Sequence, residues 1–261
     1  MPDLVDYRIQ HCFASRGYDR KSFWTHARPA AIPRDGSPRV LITTQKARAD
    51  GSDVFDQIAT FITDDLGQTW VGPTNIPGVE RQPLDDQLDV NLCDMTPMWH
   101  APTGKLLATG QTVVYQHDNH IPIERPRHVS YLVYDPDTDQ WQPQRMLELP
   151  EDDLYHNIGA GSTQCHLLDS GEMLVPTYCR VAHNQYGSTV LRCAFDGETL
   201  TFIERGNVLR HPEVRGLPEP SIVRFGDRYL LTMRNDLAGF VAESEDGLNF
   251  GPHKLWRFDT G

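Results

Sequence analysis

One hairpin pattern recurs four times along the chain: a short segment, a Gly-containing turn, then an apolar strand. The copies are ARPAAIPRDGSPRVLITTQ (27–45), DMTPMWHAPTGKLLATGQ (94–111), STQCHLLDSGEMLVPTY (162–178) and EPSIVRFGDRYLLTMR (219–234). Asp-Gly, Thr-Gly, Ser-Gly and Gly-Asp each supply the positive φ that tight turns demand. Every copy is followed by another strand and a polar turn closing on an aromatic: QIATFITDDLGQTW (57–70), HVSYLVYDPDTDQW (128–141), TVLRCAFDGETLTF (189–202) and GFVAESEDGLNF (239–250). Four strands per unit, repeated about every 50–70 residues, predict an all-β chain folded as a β-propeller, its blades being small twisted sheets packed on their neighbours. Four blades are legible, near 27–77, 94–148, 160–210 and 218–257, with almost no helix expected.

Charge and composition narrow the partners. The 261 residues carry 24 basic and 36 acidic side chains, a net charge of −12, with no concentrated basic stretch, so nucleic acid is an unsuitable partner. No apolar run approaches the roughly 20 residues that cross a bilayer, and the opening MPDLVDYRIQHCF lacks a basic and then apolar leader. No membrane association is therefore expected, and the expected location is cytoplasmic. Five cysteines, an odd number with no C-x-x-C pair, fit buried thiols in a reducing compartment better than disulfides or zinc.

The segment TDDLGQTW (63–70) resembles the Asp-box, Ser/Thr-x-Asp-x-Gly-x-Thr-Trp, of the sialidase (neuraminidase) superfamily, and SEDGLNF (244–250) looks like a shorter variant. Physically, it reads as a turn: Asp65 accepts backbone N–H groups, Gly67 takes the left-handed conformation, and Trp70 packs between sheets. The resemblance spans residues 27–261, with 1–26 as a lead-in. It implies a six-bladed propeller of which four to five blades are present, and hence the N-terminal part of a longer protein.

In such a propeller the heads of the inner strands and the connections between second and third strands share one mouth. ARP (27–29) is similar to the Arg-Ile-Pro element of sialidases, without its Ile, and by that resemblance Arg28 grips a substrate carboxylate. A guanidinium fork matches a carboxylate bidentately; a structural ion pair is the alternative. Glu219 and Arg234 resemble the family's base and second carboxylate-binding arginine, and one hairpin returns both to the same face. Glu219-Pro220 reads equally as an edge cap. The resemblance places the catalytic acid in KARADGSDVFDQ (46–57), where Asp53 is selected by position, with Asp50 and Asp56 beside it. A shielded carboxyl can be tuned to donate a proton, whereas loop aspartates are also common for turn reasons alone.

Asp94, at the head of the second inner strand, can instead supply an acid or bind a hydroxyl. Arg48, His117 and His156 are further substrate-binding candidates. A metal site from His117, His120 and His128 is unfavourable because Pro122 and Pro126 forbid the helix that His-x-x-His needs. The Gly-rich YHNIGAGS (155–162) lacks the flanking helix of a phosphate cradle, and no nucleophile-elbow context is visible. The resemblance thus implies an exo-acting glycoside hydrolase for an acidic sugar, without cofactor or metal. The alternatives are a non-catalytic carbohydrate-binding propeller and a hydrolase or lyase for a uronate-bearing polysaccharide. Oligomeric state is not legible.

Overall fold

The computed structural model describes residues 9–16, 18–49, 53–116, 119–120 and 126–257, with backbone alone for 119–120. Their strands form four antiparallel sheets in chain order. Blade one comprises Ser22–Ile32, Arg39–Arg48, Ala59–Thr63 and Val71–Asn75. Blade two is built on Leu88–His100, Lys105–Gln116, Val129–Asp135 and Gln140–Trp141, extended at its margins by two-residue strands. In blade three, Ile158–Gly159 and His166–Leu167 both pair Met173–Ala182, followed by Gln185–Phe195 and Leu200–Arg205. Blade four comprises Ser221–Phe225, Arg228–Arg234, Gly239–Ser244 and Lys254–Leu255. One 3-10 turn, Asp153–Tyr155, is the sole helical element among the described residues. The all-β propeller expectation holds, although the first two inner strands begin at Ser22 and Leu88, ahead of the boundaries read from the repeat.

Strand alternation explains why these sheets stack. Leu106, Ala108, Leu132 and Tyr134 of blade two pack with Ile32 and Leu41 of blade one. Their alternate neighbours Leu107, Tyr131 and Val133 face Met173, Val175 and Leu191 of blade three. The remaining blade-three face sends Leu174 and Val190 against Ile222, Leu231 and Phe240 of blade four. A strand buried on both faces reads as a continuous apolar run because each side chain, up or down, meets another sheet. On blade four, Val223 and Phe225 of the inner strand and Trp256 are exposed.

The Asp-box turns work as the sequence indicates. Asp65 accepts from the Thr69 amide at 2.9 Å and the Thr69 hydroxyl at 2.6 Å, while Thr63 Oγ1 accepts from the Gly67 amide at 2.9 Å. Gly67 has φ +88°, and Trp70 Nε1 donates to its carbonyl. Asp246 repeats the scheme with the amides of Leu248 and Asn249, at 2.8 and 2.7 Å. The donors hold both carboxyls down at about 2, against an ordinary 3.8; for Asp246 they outweigh burial, which pulls the other way. A carboxylate depressed on folding stabilises above its unfolded value and loses that contribution as pH falls through the folded one. Acid unfolding should therefore steepen between about pH 4 and pH 2, and Asp246→Asn should flatten that limb of the melting-temperature profile.

Candidate functional site

Each blade carries a left-handed residue in or just ahead of its inner strand. His26, Asp94, Ser162 and Glu219, one from each blade, all take left-handed φ values, between +54° and +60°. In the first two blades the strand register jumps at this point, between Thr25 and Arg28 and between Cys93 and Thr96. A non-glycine residue in this region costs about 1–3 kcal/mol. The surrounding bonds hold it: Gln45 Oε1 accepts the Asp94 amide at 3.0 Å, and Thr43 donates to the Met95 carbonyl at 2.6 Å. All four side chains line one cleft of about 200 Å³. His26, rather than Arg28, is thus the first-blade equivalent of Asp94, which corrects the repeat alignment. Superposing THARP on CDMTP, proline on proline, reveals it in the sequence.

Arg28 sits two residues further in and donates to Ser162 Oγ at 2.6 Å and to Asp94 Oδ1 at 3.4 Å. Burial pulls its pKa down, opposed by the charges of Asp94 and Glu219. Glu219 and Arg234 meet as the hairpin predicts: Arg234 Nη1 donates to both carboxylate oxygens, at 2.8 and 2.9 Å. That pair raises the Arg234 pKa. Asp236 lies 3.4 Å from Arg234 and receives a bidentate pair from Arg215 at 2.8 Å. Glu219, Arg234 and Arg215 thus line the cleft, with Asp236 bridging the two arginines.

Asp53 also lines the cleft, its carbonyl accepting from Tyr115 Oη at 2.9 Å. Asp56 instead lies 3.9 Å from Arg48, away from the cleft. Arg48 and His156 are not brought to it. Arg48 follows buried Ala47 on a strand and so points to the other side. His156 ends the 3-10 turn and faces a separate shallow depression with His128, Leu149 and Asp152. His117 and Asp50 lie outside the described residues.

Sequence reading missed His26, Arg127 and Arg215. Arg127 lies 5.3 and 4.9 Å from the ring centres of Tyr178 and Tyr186, which meet edge to face, and donates to Tyr186 Oη at 3.1 Å. Burial pushes the Tyr178 hydroxyl up to about 12, and it donates to Gln111 Oε1 at 2.8 Å. Gly159 and Gly161 let the chain pass against the Gln111 side chain, where a Cβ would collide, which accounts for the Gly-rich YHNIGAGS. Gly216, at φ +79°, lets its loop run against Tyr186, whose amide donates to the Arg215 carbonyl at 2.9 Å. Asn235 secures the same loop by donating to the Gly216 carbonyl at 2.8 Å.

No protein-family model matches the chain, and no curated protein does either. Solved structures do. The NanB sialidase from Streptococcus pneumoniae superposes with a TM-score of 0.63 at 12% identity, over 95% of this chain and 54% of that one. The Trypanosoma rangeli sialidase in complex with sialic acid gives 0.60 at 16% identity, over 86% and 37%. The Hadza microbial sialidase Hz136 gives 0.62 at 13%, over 86% and 45%. The chain thus spans about half or less of the length of these relatives. Four blades around one polar cleft, two of them bearing Asp-box turns, and these superpositions make the chain's fold that of a sialidase-type β-propeller.

Proposed function

We propose that the cleft binds an acidic sugar and hydrolyses its glycosidic bond, in the manner of an exo-acting sialidase-like glycoside hydrolase. The observation that carries this reading is the Glu219–Arg234 pair, joined through two hydrogen bonds within the same cleft as Asp53 and Asp94. Arginine forks suit the sugar carboxylate, and the titratable side chains gathered in one cleft suit the donation and acceptance of protons that glycoside hydrolysis requires. Tyr178, buried and pushed up to about 12, is a poor nucleophile and is assigned a wall role.

A second reading, a carbohydrate-binding propeller without turnover, is favoured by one specific feature. Arg28, Arg215 and Arg234 each already hold a protein carboxylate, so a ligand must compete for their forks. Fluorogenic α-sialosides and β-glucuronides, assayed alongside calorimetric titration with the free sugars, separate the readings. Sialoside turnover is the expected result. Saturable binding without turnover would select the binding module, glucuronide turnover alone would move the substrate class to uronates, and neither binding nor turnover would reject the site as a sugar site.

A further inference from the structure

We propose that His26 is a proton-transfer residue of the cleft, with Asp94 as its positioning residue. The inference rests on the hydrolase reading and deepens it. His26 Nδ1 lies 2.6 Å from Asp94 Oδ1, although the approach is oblique to the ring's N–H direction. Nδ1 itself is buried, yet the side chain is 31% exposed and lines the cleft. The exposure therefore belongs to the remaining ring edge, the one bearing Nε2. Phe55 packs on the ring with centroids 5.0 Å apart, fixing its plane.

Asp94 is engaged from two sides. Its side chain is 11% exposed, and one carboxylate oxygen faces both Arg28 and His26. A carboxylate beside one imidazole nitrogen favours a proton there through its charge and leaves the other nitrogen to exchange one. The left-handed backbone at both residues holds the two side chains toward each other across the boundary between blades one and two. Such strain is retained where the surroundings enforce it, which is the pattern of positions that do chemistry.

The step balances with water as co-reactant. The protonated ring gives its Nε2 proton to the leaving glycosidic oxygen as the C–O bond breaks. The anomeric carbon then takes hydroxide from water, whose remaining proton is taken up by the Glu219 carboxylate and passed through solvent back to Nε2. The ring ends as it began, and the products are the free sugar and the alcohol.

The test uses His26→Gly, because glycine accepts φ +55° without strain. Loss of a general acid–base group lowers rate by about 10²–10⁴-fold. The expected result is a kcat loss of that order with KM little changed, partial recovery on adding free imidazole, and a smaller kcat loss in Asp94→Asn. Unaltered kcat in His26→Gly, or a loss that imidazole does not relieve, would overturn the proposal. A second readout needs no turnover: the ¹⁵N imidazole signals of His26 in the wild type and in Asp94→Asn. A tautomer change between the two supports the pair, and identical signals overturn it. Wild-type protein inert toward every glycoside, but with His26 signals that respond to Asp94→Asn, would reject the hydrolase reading and leave the pair standing.

Discussion

Glu219→Gln is expected to abolish most turnover of an acidic glycoside while leaving the fold nearly as stable as before. The two halves of that statement come from different physics. Glutamine keeps the shape of the side chain and one acceptor oxygen but removes the charge and the basicity, so a proton-handling role loses about 10²–10⁴-fold in rate. Stability should change little, because the Arg234 side chain is 50% exposed and that of Glu219 28%; exposed pairs of this kind contribute only about 0–1 kcal/mol. Arg234→Lys should weaken binding of the free acidic sugar, since a point charge cannot reproduce a bidentate fork. Calorimetric titration and a thermal melt, run on both variants, decide it. A melting temperature that falls by many degrees in Glu219→Gln, with ligand binding intact, would assign Glu219 to capping its strand and remove the strongest support for catalysis.

The parts of this molecule that sequence made legible are the parts held by local bonds. Asp65 and Asp246 make their turn bonds within four residues, so TDDLGQTW and SEDGLNF announce themselves. Glu219 and Arg234 meet across a single tight hairpin, and their 15-residue spacing is enough to bring them together. The rest depends on contacts between blades. Arg127 becomes a cleft residue only because Tyr178 and Tyr186, more than fifty residues later, lie against it. Arg215 is delivered by a loop whose course is set by the Tyr186 backbone and the Asn235 side chain. Arg48 shows the converse: its loop-side position suggested the mouth, but the strand's alternation turned it toward Asp56. His26 was hidden by a different cause, a misalignment of the repeats that put Arg28 in the place of His26 at the bulge.

Arg28 offers the largest expected effect on stability. Its side chain is 17% exposed and that of Asp94 11%, so neither can shed its charge into water. Removing one partner of a buried pair costs about 3–5 kcal/mol, because the other is left uncompensated. Arg28→Ala also deprives Ser162 Oγ of its 2.6 Å donor, loosening a bond that ties blade one to blade three. At about 2–4 °C per kcal/mol for a chain of this size, the melting temperature should fall by about 6–20 °C. The companion variant isolates the cause. Adding Asp94→Asn to Arg28→Ala removes the stranded charge, so the double variant should be more stable than Arg28→Ala alone, a positive coupling readable in a double-mutant cycle. Strict additivity would mean that the two side chains do not act on each other. Arg28 would then be an anchor for Ser162 alone, and Asp94 would not compete with a ligand for its fork.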